Sequence, residues 1–68
     1  MEKVFLLEVG RNYETPDIRL AFSRPEFARE RLAMLYPELK PIFEEPKCLH
    51  FSSDEKWGSI KEFEVDKS

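Results

Sequence analysis

The spacing of apolar positions changes along the chain, and each change marks an element. The stretch "KVFLLEVG" is rich in β-forming residues. Phe5, Leu7 and Val9 fall on one face, Val4 and Leu6 on the other with Glu8 at its end, and Gly10 closes the run. A strand apolar on both faces is expected to be central or covered on both sides. "RNYETPD" then brings the turn residues Asn12, Pro16 and Asp17. In "DIRLAFS" the alternation is clean: Ile18, Leu20 and Phe22 oppose Arg19 and Ala21. This predicts a second strand, antiparallel to the first through a long hairpin loop.

The period turns helical in "SRPEFARERLAMLYPEL". Ala28, Leu32, Leu35 and Leu39 form the inward stripe, flanked by Phe27 and Met34, while Arg24, Arg29, Glu30 and Arg31 take the wet side. Ser23 and Glu26 fit a capping box, in which the hydroxyl and the carboxylate each accept from an otherwise unpaired N–H. Pro25 removes no bond in the first turn. Pro37 predicts an end near Leu35 or Tyr36. "KPIFEEPK", with Pro41 and Pro46, reads as a loop carrying an apolar plug of Ile42 and Phe43.

Two more strands follow. "KCLHFSS" sets Leu49 and Phe51 against Cys48 and His50. "SDEKWG" reads as a turn. "GSIKEFEVD" sets Phe63 and Val65 against Glu62 and Glu64, and Ile60 breaks that alternation, so a bulge is expected near Gly58. The order β-β-α-β-β predicts one α+β domain over residues 1–68. It would be a small antiparallel four-stranded sheet with one helix packed on one face. Val4, Leu6, Ala21, Cys48, His50 and Ile60 would then lie on the uncovered side. That side is more apolar than a solvated face requires, so another protein or a second copy is expected to cover it, the latter as a homodimer or higher oligomer.

Length and charge narrow the function. A chain of 68 residues buries only about 60% of the surface it exposes when unfolded, so it gains from a partner. With 41% hydrophobic residues the composition is globular. A net charge of -3 argues against general nucleic-acid binding, which rests on a cationic surface. One cysteine excludes an internal disulfide and fits a cytosolic chain. The apolar run Val4 to Leu7 is interrupted by Glu8; a signal peptide needs roughly 7–15 apolar residues and a membrane span about 20. The expected site of action is therefore the cytoplasm, of its own cell or of an infected host, with no membrane contact.

No complete catalytic, cofactor or metal motif is present. Cys48 and His50 are the only residues of their types, whereas closed zinc needs four ligands, so a symmetric dimer would have to complete the set. Two positions apart on a strand, their Cβ atoms stand roughly 6–7 Å apart. That is too far for a nucleophile and its base. Glu44 with Glu45, Asp54 with Glu55 and Glu62 with Glu64 pair carboxylates that read most simply as charged edges. Arg11, Arg19, Arg24, Arg29 and Arg31 all stand in the first half. They could grip an anion, with the helix N-terminus near Ser23 helping, or simply form a solvated face. Tyr13, Tyr36, Phe43 and Trp57 sit in or beside expected loops, where aromatics often anchor interfaces.

A strand "VFLLEVG", a strand "IRLAFS", a helix "RPEFARERL" and a Trp before the closing "SIKEFEVD" together resemble a loose group of small phage and bacterial β-β-α-β-β proteins of unknown function. The resemblance spans nearly the whole chain. It implies a phage-encoded inhibitor or regulator that binds a host protein, including a defence protein. Its alternative is an oligomer that sequesters an anionic nucleotide signal. Neither needs a cofactor. The interface residues expected from these readings are Tyr13, Arg19, Arg24, Arg31, Cys48, His50 and Trp57.

Overall fold

A computed structural model describes residues 2–65. Along the chain it sets β1 (Glu2–Arg11), β2 (Pro16–Phe22), α1 (Pro25–Leu35), β3 (Lys40–Glu45), β4 (Cys48–Ser52) and β5 (Lys56–Val65). The strands form one antiparallel sheet in the order β2-β1-β5-β4-β3. The helix packs on one face, an α+β arrangement of two layers. The core between the layers is Leu7, Val9, Ala28, Leu32, Leu39 and Ile60, with Phe5, Ile18, Leu20, Phe22, Tyr36, Leu49 and Phe51 packed around it.

The sheet has five strands instead of four. The segment expected as a loop is β3, and it pairs with β4 from Lys40 opposite Ser52 to Glu45 opposite Cys48. Hydrogen-bond parity explains why proline is tolerated there. The Glu62 N–H donates to the Lys47 carbonyl at 2.8 Å, so Leu49 and Phe51 face β5 and Cys48, His50 and Ser52 face β3. Their partners Lys40, Phe43 and Glu45 bond inward, and Pro41 turns its missing N–H to solvent. A register shift between Pro41 and Phe43 further blunts this edge.

Other expectations are corrected. β5 starts at Lys56, so Trp57 is a strand residue, and pairing runs without a shift through Gly58. Ile60 lies on the helix side at 3% exposure, opposite Leu7 and Leu49. Phe63 and Val65 share parity with Trp57 and are on the uncovered face, both exposed. Asp66, expected at the end of this strand, lies outside the described residues. The helix starts one residue late for the capping box: Arg24 is the cap residue, no side chain caps it, and Glu26 stands in the second helical position. Leu35 is exposed, because the chain leaves the helix at Tyr36 and Leu39 enters the core from beyond it.

A close approach defines one end of the sheet. β1 and β2 slip register between Val9 and Gly10. A Cβ on Gly10 would stand 2.9 Å from the Pro16 Cα and the Thr15 carbonyl, and 3.2 Å from the Trp57 indole nitrogen. That indole N–H donates to the Glu14 carbonyl at 3.2 Å and ties down the β1–β2 loop. Asn12 completes the tie, donating from its N–H to the Glu55 carbonyl and from its amide to Asp54.

Candidate interaction surface

In a pleated sheet, cross-strand partners share a face. With Leu7, Leu20, Leu49 and Ile60 under the helix, the alternate set faces away. It comprises Val4, Leu6 and Glu8 on β1; Arg19 and Ala21 on β2; Cys48 and His50 on β4; and Trp57, Ser59, Lys61, Phe63 and Val65 on β5. Among the described residues no element covers this face.

Its centre is polar. Glu8 is only 7% exposed, and a buried carboxylate needs opposite charge. Arg19 supplies it from β2 at 3.2 Å and Lys61 from β5 at 3.4 Å, so an ion row crosses three strands. Beside it Ser59 is 3% exposed, and its Oγ has no hydrogen-bond partner. His50 stacks on Phe43 of β3 with ring centroids 4.1 Å apart. Its Nε2 lies 3.7 Å from Glu45 Oε1, beyond a good hydrogen bond. Cys48 stands between Lys61 and Glu45 in the ladder. Burial pushes its thiol pKa up, with Glu45 and Glu8 adding to the effect and Lys61 opposing it. A thiol so placed keeps its proton at neutral pH, and the thiolate is the nucleophilic form.

The end of the face away from Trp57 holds its apolar residues, with Glu2 beside Val65 at the tip. Val4 pairs with Phe63, and Leu6 lies between Ala21 and Lys61. Phe63 is 49% exposed and Val65 39%.

The seven expected interface residues divide. Arg19, Cys48, His50 and Trp57 meet on the uncovered face, Trp57 being engaged with the loop below it. Tyr13 stands on that loop at φ 66°, fully exposed. Arg24 and Arg31 belong to the helix layer, and the Arg31 guanidinium lies 5.9 Å over the Phe22 ring. Tyr36 is also a helix-layer residue, with the Lys56 ammonium 4.5 Å over its ring. Arg19 on the uncovered face and Arg31 in the helix layer therefore do not converge on one aromatic within one chain.

Sequence reasoning missed Phe63, Val65 and Lys61 as members of this face. The signal was available in Ile60: counting by two from an inward Ile60 puts all three outward. Among the described residues no three His, Cys, Asp or Glu side chains gather as a metal site. No helix among them is long and apolar enough to cross a membrane. No family model, no curated protein and no solved structure matches the chain.

Proposed function

We propose that the chain is a protein-binding module acting by surface contact through the uncovered face of its sheet. The observation that carries this is the bare apolar end, Val4, Leu6, Ala21, Phe63 and Val65, set beside the Arg19–Glu8–Lys61 row. An apolar cluster with an aromatic anchor, flanked by charged groups, is a common ingredient of protein interfaces. In the setting the resemblance implies, that partner is a host protein, including a defence protein, and binding blocks it.

The reading as a nucleotide-sequestering oligomer is weaker. Arg19 is already paired with Glu8, and Arg31 stands in the other layer. A nucleotide that raised the melting temperature substantially would restore it, since binding to the native state must stabilise that state.

The test is capture from host lysate with the whole chain as bait, in parallel with Phe63→Asp and Cys48→Arg. Circular dichroism checks that both variants are folded. The expected result is one protein retained by the parent and lost by both variants. Capture that survives both substitutions sinks the proposal.

A further inference from the structure

The two sheet edges differ. At β3, Pro41 and the register shift leave a broken row of donors. At β2 the same parity leads the other way. The Asn12 N–H bonds Glu55, so Val4, Leu6, Glu8 and Gly10 bond toward β5, and Phe5, Leu7 and Val9 bond toward Phe22, Leu20 and Ile18. The N–H and C=O groups of Arg19 and Ala21 therefore point off the sheet, with no proline or bulge between them. An open edge of this kind is a template for another strand.

The flank of α1 above that edge is unusual in its order. Arg31 reaches over Phe22 of β2, while Arg29, on the opposite flank, pairs with Glu44 of β3 at 3.7 Å. Phe27, Glu30 and Met34 share the Arg31 side by helical spacing. Phe27 is 49% exposed and Met34 78%. Neither Glu30 nor Arg31 has an ion pair among the described residues. The sequence of this flank is apolar, acid, base, apolar. Turned end over end about the point between Glu30 and Arg31, it meets its own complement: Phe27 against Met34 of the second copy, and Glu30 against Arg31 of the second copy. Met on an aromatic ring and acid on base are both favourable contacts.

Strand and helix agree on one axis. Pro25 and Arg29 line a depression with Phe5, and Leu32 reaches toward Gly58, which pairs with Val9. The middle of the helix thus stands at the level of Leu7 and its partner Leu20. An antiparallel strand pair centred on Leu20 sets Arg19 opposite Ala21 of the second copy, which avoids placing Arg19 on itself.

We propose that a second copy of this chain docks on the β2 edge and the Phe27–Glu30–Arg31–Met34 flank of α1, across a two-fold axis through Leu20. The two sheets join into one, the two helices lie antiparallel above it, and both uncovered faces stay open. This interface is isologous, so it closes at two subunits. It stands apart from the protein-binding reading above, because it uses none of the same side chains except Arg19 and Ala21, and only their backbone.

Sedimentation equilibrium of the whole chain tests it. A dimer is expected, and a chain that stays monomeric at the highest attainable concentration overturns the proposal. Glu30→Lys and Arg31→Glu each set like charges against each other twice, and each should raise the dimer dissociation constant more than about tenfold. Both positions are exposed, and circular dichroism confirms the fold. Mixing the two variants should restore dimers, because the introduced lysine then faces the introduced glutamate at one contact and Arg31 faces Glu30 at the other. Dimers unaffected by either variant, or a mixture that stays monomeric, overturn the proposal. So does a parent dimer that Phe63→Asp dissolves, since that dimer would use the uncovered face.

Discussion

Leu6 and Leu7 are neighbours of one residue type with opposite fates, which makes them a direct test of which face is inside. Leu7 is fully buried between the layers, opposite Leu20 and Ile60. Truncation to alanine removes its transfer energy and leaves a cavity that packed neighbours close only in part, about 2–5 kcal/mol. Leu6 is half-buried on the uncovered face. Its truncation opens no closed cavity, and the loss is about 1 kcal/mol at the area rate for a partly buried side chain. A domain of this length is stable by roughly 3–10 kcal/mol, so Leu7→Ala consumes a large share and Leu6→Ala a small one. Urea unfolding, followed by Trp57 fluorescence and far-UV circular dichroism at low concentration, reads the contrast. With a slope near 1 kcal/mol per molar urea, the two midpoints should differ by about 2 M. Equal midpoints, or a larger loss for Leu6→Ala, would show that the helix does not cover the Leu7 face and would refute the assignment of every other side chain by parity.

Gly10→Ala should destabilise by about 1–3 kcal/mol, because its new Cβ meets backbone at 2.9 Å and backbone cannot swing aside; a melting temperature unchanged from the parent would contradict that approach. Cys48 is held protonated in the folded chain, chiefly by burial. The folded thiol therefore keeps its proton to higher pH than the unfolded one. That contribution to stability is whole below the ordinary thiol pKa and is lost as pH rises above it. Alkylation at pH 8 should be slower in the native chain than in urea, and Cys48→Ala should flatten the alkaline fall in stability. Equal alkylation rates in the two states would count against it.

Much of the layout was legible because period-two alternation survives folding. Ile18, Leu20 and Phe22 face inward together, as do Leu49 and Phe51, and Cys48 and His50 do share the other side. The failures share a cause. Pro41 reads as a strand breaker, yet it is harmless where its missing N–H points to water, and only the pairing with β4 sets that direction. Ile60, and neither Phe63 nor Val65, reads as a residue of the uncovered side. Ile60 is nevertheless fixed inward between Leu7 and Leu49, and strand parity then turns Phe63 and Val65 to the other face. Ser23 and Glu26 have the spacing of a cap, and a one-residue shift in the helix start takes them out of register. The candidate surface was legible in Val4, Leu6, Ala21, Cys48 and His50, and incomplete without Lys61, Ser59 and Phe63.

By itself the sequence determined where the helix and four of the five strands form, that the chain is α+β, and that one side of the sheet would carry more apolar surface than water favours. These are properties of local chemistry: alternation, helical spacing, and the conformational limits of proline and glycine. Tertiary structure alone decided which of two faces is inside at β5, that β3 joins the sheet, and that Glu8 lies between Arg19 and Lys61. A strand presents two faces and two edges of equal standing. Their fates depend on register with neighbours distant in sequence, which a single strand's pattern does not contain.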